Sequence, residues 1–183
     1  MRHFWANVIG NQLVWLCAVV GAGHGLRWPA LLAATAYVGS QLAMSARPAV
    51  DLKVLAVAVL CGLVVDGIAG GSQRVVYAAA WPSAWLAPVW ILALWAAFAM
   101  TLTVSLKVLQ QKRWLAALLG LLAPLAYLSA SRGWSSVLFA APSWQGVIIL
   151  ALGWAVALPL LAASARHWQH DAAAVANTNG AHA

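Results

Sequence analysis

Six stretches of this chain run for about twenty residues each with almost no charge. They lie at residues 5–23, 28–46, 52–70, 87–106, 114–131 and 145–165. A helix needs about 20 mostly apolar residues to cross the hydrocarbon core of a bilayer. The pattern therefore predicts an all-α, polytopic membrane protein, a bundle of six transmembrane helices. The punctuation between the stretches agrees. Trp28-Pro29 opens the second with an interfacial aromatic and a first-turn proline, and Arg47-Pro48 closes it. Gly70-Gly71-Ser72 ends the third. Residues 75–86, with Tyr77, Trp81 and Trp85, read as a segment lying in the headgroup zone. Pro124 predicts a kink in the fifth helix, tolerated where neighbours satisfy the freed carbonyl. With 183 residues and short connections, one transmembrane domain over 1–165 and a flexible tail over 166–183 account for the chain.

Composition strengthens this picture and narrows the chemistry. Hydrophobic residues make up 64% and charged residues 7%, against about 25% charged in soluble domains. The net charge of +7 comes from ten cations spread over several loops, which form no concentrated patch for nucleic acid. They fit the basic loop ends that orient membrane proteins. With six spans, Arg2, Arg47, Lys53, Lys107, Lys112, Arg113 and Arg166 share one side, and Arg27, Arg74 and Arg132 share the other. Cations favour the cytoplasm, so both termini are expected inside. The start Met1-Arg2-His3 and the later Gly21-Ala22-Gly23 imitate a cleavable leader, and the segment is read here as the first span. Cys17 and Cys61 sit within spans and read as buried thiols, not a disulfide framework.

Acidic residues are only Asp51, Asp66 and Asp171, so chemistry needing clustered carboxylates has little support. Asp66 is the one carboxylate well inside a span, in a Gly62-Asp66-Gly70 stripe that a neighbouring helix could approach closely. It must be paired, protonated or wet. The outer side supplies Arg132, Arg27, Arg74 and His24, and the reading expects an ion pair of Asp66 with Arg132 first and Arg27 second. A protonated Asp66 bonded to a carbonyl or to Ser129 is the alternative. In the opposite membrane half, Asn7, Asn11, Thr101, Thr103 and Ser105 could line a polar cavity, though such residues more often join helices. His167, His170 and Asp171 imitate a metal triplet, yet His3, His24 and His182 are isolated, so no metal or cofactor is expected. Of twelve tryptophans, Trp28, Trp81, Trp85, Trp114, Trp134 and Trp144 mark span borders. Trp15, Trp90, Trp95 and Trp154 lie deeper, where buried N–H groups require partners. No serine elbow, P-loop, dinucleotide fingerprint or zinc-protease helix occurs.

Several segments together resemble a known family. Pro88-Val-Trp-Ile-Leu-Ala-Leu-Trp-Ala-Ala-Phe98-Ala-Met-Thr-Leu-Thr-Val-Ser105-Leu, Gly62-Leu-Val-Val-Asp66, Ala123-Pro124-Leu-Ala-Tyr127-Leu and Gly153-Trp154 look like the signature of the bacterial domain-of-unknown-function family 2878. The resemblance follows one order along most of residues 5–165. Two positions depart from it: Thr103-Val104 stands where relatives often have Asn-His, and Gly-Trp-Ser-Ser follows Arg132. The resemblance implies a small inner-membrane protein without assigned activity, with members often encoded near genes for cyclopropane-type fatty-acid modification and envelope stress responses. Together with the absence of catalytic motifs, it implies a non-catalytic protein that binds lipid or assists a lipid-modifying enzyme. The rival expectation is a small transporter or channel using Asp66 and the polar inner-half group.

Overall fold

A computed structural model describes residues 1–180. Its elements, in order, are α1 (Arg2–Gly23), α2 (Trp28–Ala43), α3 (Pro48–Gly71), β1 (Val75–Tyr77), α4 (Val89–Leu102), a 3-10 turn (Lys107–Gln110), α5 (Arg113–Leu122), α6 (Pro124–Trp134), β2 (Val137–Phe139) and α7 (Trp144–Gly180). Among the described residues, four rods are long and apolar enough to cross a bilayer: His3–Gly23, Pro48–Gly71, Arg113–Trp134 and Trp144–Ala174. The third of these is α5 and α6 joined at Ala123, with Pro124 at the first position of α6, so the expected proline kink divides one rod in two. The protein is all-α in class apart from one two-stranded ribbon.

The helices α2 and α4 are shorter than the sequence pattern suggests, at 16 and 14 residues. Residues 103–106 leave α4 through turns into the 3-10 turn instead of extending it to 106. Position in the bundle explains how α4 tolerates this. It packs on α1, α2 and α3 and also touches α7, and none of its residues is exposed. A helix hydrophobic all round is a buried one. Surrounded by protein, α4 does not have to match the bilayer thickness by itself.

The other rods carry their large apolar residues outward. Leu60, Val64 and Ile68 on α3, Leu118, Leu121 and Leu125 on α5 and α6, and Leu152, Val156 and Leu160 on α7 are all exposed. In water such a surface would be an aggregation liability, whereas in a bilayer it is the solvated face. Cys17 shares this outward exposure and Cys61 is half-buried, which corrects the reading of both as buried thiols. The border tryptophans Trp28, Trp81, Trp85, Trp114 and Trp144 are exposed as interfacial anchors would be.

Two segments depart from the sequence pattern more sharply. Part of the expected headgroup segment is β1, which pairs antiparallel with β2, Tyr77 opposite Val137 and Val75 opposite Phe139. Strands of three residues carry too little alternation to be read in sequence. At the other end, α7 does not stop at 165 but continues to Gly180. Nothing in the alanine-rich run after Arg166 breaks a helix before that glycine. The extension is also tied down: the Arg47 guanidinium donates to the Gln169 carbonyl, and Lys53 lies 5.9 Å from the Trp168 ring centroid. Thus the flexible tail expected from 166 is helical through the described part, and His182 lies outside the described residues.

Candidate functional site: a buried carboxylate beside an aromatic cleft

The spacing of Gly62, Asp66 and Gly70 puts all three on one face of α3. Gly62 accepts the indole of Trp95 from α4 so closely that a Cβ there would overlap the ring. Gly70 meets the Tyr77 ring, at 3.5 Å from where its Cβ would stand. The two small residues thus let two large rings close over Asp66 from either side along the helix. Asp66 is completely buried.

Three elements deliver hydrogen-bond donors to this carboxylate, and a fourth braces one of them. The Tyr77 hydroxyl from β1 donates to Oδ1 at 2.7 Å, and the Tyr127 hydroxyl from α6 donates to the same oxygen at 2.8 Å. The Trp95 indole N–H donates to Oδ2 at 2.7 Å. From α7, the Trp154 N–H donates to the Tyr127 oxygen at 3.2 Å. The Trp95 and Trp154 rings stack, with centroids 3.9 Å apart and planes 16° from parallel. Burial, followed by the charge of Asp66, pushes the Tyr77 hydroxyl well above the usual phenol range, so it remains a donor at neutral pH.

The expected ion pair is corrected by this geometry. Arg132 and Arg27 are exposed, and the Arg27 guanidinium lies 5.6 Å from the Trp81 ring centroid. His24 is exposed at the end of α1, and Ser129 donates to the Ala126 carbonyl, not to Asp66. The physical reason is that neutral hydroxyl and indole donors satisfy a carboxylate without bringing a second charge out of water. Sequence spacing could not find Tyr77, Tyr127 or Trp154, which converge only through the fold. The one signal was the need of deep tryptophans for N–H partners, which Trp90 meets at the Ala78 carbonyl.

A second polar node forms around Asn7, also fully buried. Its amide nitrogen lies 2.8 Å from Gln41 Oε1, 3.0 Å from the Tyr37 hydroxyl and 3.0 Å from the Met100 carbonyl. The Ser105 hydroxyl donates to Asn7 Oδ1 at 2.6 Å, and the Tyr37 hydroxyl donates to the Asn7 carbonyl at 3.0 Å. The structure so unites Asn7 with Ser105 and adds Tyr37 and Gln41 from α2. Thr101, buried beside them, bonds the Phe98 carbonyl of its own helix. This node joins α1, α2 and α4, which is the structural use of such residues. At the far end of α7, His167 Nε2 stands 3.3 Å from Asp171 on the exposed helix surface.

Between α1, α4, α5–α6 and α7 lies a cleft of about 520 Å³. Its inner wall is aromatic: Trp90, Trp95 and Phe98 from α4, Tyr127 from α6 and Trp154 from α7. Three members of the Asp66 network are therefore also the wall of the cleft. At one end α1 and α6 close on each other, where Gly23 meets the Trp134 backbone and the Trp15 and Trp134 rings contact edge to face at 5.8 Å. The exposed lining residues are Gln12 on α1 and Leu119, Leu122, Leu125, Ala126 and Ser129 on α5–α6. The mouth thus lies between these two rods. Asn11 also lines it, half-buried, one turn beyond Asn7.

These features define a helical membrane protein with a laterally open, aromatic-walled cleft against a buried carboxylate. The chain belongs to the family described as "Protein of unknown function (DUF2878)", which it matches over residues 4–160. No curated protein and no solved structure matches it. The match takes in every residue of both polar nodes and of the cleft.

Proposed function

We propose that this protein is a non-catalytic, six-span inner-membrane protein that holds a lipid or another apolar molecule in the cleft, as an accessory to membrane-lipid modification or the envelope stress response. The observation that carries the reading is the cleft itself. Its volume is that of a small-molecule site, roughly 300–1,000 Å³, its wall is largely apolar, and its mouth is rimmed by exposed leucines of α5–α6, a border suited to hydrocarbon. Protein in mild detergent should retain lipid-derived material that organic extraction and mass spectrometry detect. Ala126 lines the cleft yet is exposed, so Ala126→Trp should fill the cleft without disturbing the core. Loss of the retained material in A126W, with an unchanged melting temperature, supports the reading. Equal retention by both proteins, or none by either, overturns it.

The transport reading uses the same residues less well. Along α4, the Asp66 and Asn7 nodes are separated by Phe98, which packs edge to face on Trp154. Apolar rings at that position favour holding a guest over passing ions between the two membrane faces.

A further inference from the structure

Among the polar groups lining the cleft, Tyr127 and Trp154 are engaged with the Asp66 network and Ser129 bonds its own helix, whereas the Asn11 and Gln12 amides are left without such a bond; Gln12 is exposed at the rim and Asn11 is half-buried. Asn11 makes no hydrogen bond among the described residues, and its side chain borders the cleft. No buried side-chain nitrogen or oxygen among the described residues lacks a partner, so the Asn11 amide is open to the cleft space. Its depth is unusual. Asn11 stands nine residues after Arg2 in a 22-residue helix, about 13 Å along a rod of roughly 33 Å and so close to its centre. At that level a bilayer offers neither water nor headgroups, and an amide facing hydrocarbon forfeits its hydrogen bonds.

We propose that the cleft is selective for an uncharged oxygen function carried at mid-bilayer depth, a hydroxyl or carbonyl set within an apolar molecule, which the Asn11 amide recognises. This rests on the reading of the cleft as a guest site and deepens it. A two-chain phospholipid places its polar atoms at the membrane surface, so its oxygens do not reach Asn11. A single chain or flat lipophile with an internal oxygen does. The space beyond Asn11 suits the apolar remainder. From Asn11 to Val19 the α1 wall runs eight residues, about 12 Å, past the Trp90, Trp95 and Phe98 rings.

The test is competition, in nanodiscs of plain phosphatidylcholine, between 12-hydroxystearate and stearate, followed by native mass spectrometry of the 1:1 adduct. The two probes differ only in a mid-chain hydroxyl. The wild-type protein should prefer the hydroxylated chain by about three- to ten-fold, the range of one hydrogen bond within a membrane protein. Asn11→Leu should abolish that preference while still binding both chains, and its melting temperature should match the parent, because Asn11 joins no other residue. A probe with a mid-chain ketone in place of the hydroxyl separates the sources: preference for both oxygenated chains assigns the shared acceptor chemistry, and preference for the hydroxyl alone assigns a donor. Equal binding of stearate and 12-hydroxystearate by wild type, or a preference that survives in N11L, overturns the inference while leaving the cleft a lipid site. Binding of neither chain, with A126W and wild type indistinguishable, overturns the cleft reading as well.

Discussion

Asp66 shows what a membrane interior requires of a single carboxylate. Three donors converge on two oxygens, and each donor belongs to a different element. An amide in its place cannot serve all three. With its nitrogen toward Tyr77 and Tyr127, both phenol protons lose their acceptor; with its nitrogen toward Trp95, two donors face each other. Asp66→Asn should therefore lower stability by about 1–3 kcal/mol, the cost of a stranded buried donor, read as a fall in the melting temperature in detergent. Arg132→Ala should leave the melting temperature unchanged, because Arg132 is exposed and takes no part in the hydrogen bonds to Asp66. A loss in R132A as large as that in D66N would restore the ion pair, and a D66N as stable as the parent would remove the hydrogen-bonded account. Tyr127→Phe belongs to the same residue-scale logic. It removes one donor from Asp66 and the acceptor of the Trp154 N–H together, so it should cost more than Ser129→Ala, which loses only a local bond.

Helix contact in this protein depends on where small residues meet large rings. On α3, Gly62 lies against the Trp95 indole, while Gly67 has no atom near its would-be Cβ. The two glycines sit on one helix and so carry the same backbone entropy, which makes them a controlled pair. Gly67→Ala should be neutral or stabilising by about 0.5–1 kcal/mol, since alanine restricts the unfolded chain and fits the open space. Gly62→Ala should destabilise by about 1–3 kcal/mol through overpacking, and it should shift tryptophan fluorescence because Trp95 and its stacked partner Trp154 must move. If both variants melt alike, close approach at Gly62 is not what sets the α3–α4 distance. The stripe of small and acidic residues was readable in the sequence because helical spacing is local information, and so was the break at Pro124. The partners were not readable. Tyr77 reaches Asp66 only because a three-residue ribbon pins the loop after α3 to the loop after α6, and no local pattern encodes that pairing. The choice of arginine as the expected partner failed for a related reason. Loop membership gives the side of the membrane on which a residue lies, but not its distance from a carboxylate held inside the bundle.

At the scale of the whole molecule, the arrangement places Asp66 and the closed end of the cleft toward one membrane face. The loops at that face are the turn between α1 and α2, the β1–β2 ribbon and residues 78–88, and the cations in this group are Arg27, Arg74 and Arg132. The other face carries the remaining seven of the ten cations, counting Arg2, Arg47, Lys53, Lys107, Lys112, Arg113 and Arg166. The asymmetry, seven against three over short loops, is the kind that orients membrane insertion. It requires α2 and α4 to cross, although they are short, and that is where the orientation is most open to test. If both cross, Ser83 in the loop before α4 and Gln111 after it lie on opposite sides. With the termini inside, Ser83→Cys should react with a membrane-impermeant maleimide in intact cells and Gln111→Cys only after lysis. The native Cys17 and Cys61 are first replaced by alanine; they lie within the spanning helices, so the background is low in either case. Labelling of both positions from outside would show that α4 turns back without crossing. Labelling of Gln111→Cys alone would reverse the protein in the membrane and place the cleft's closed end, with Asp66 behind it, toward the cytoplasm.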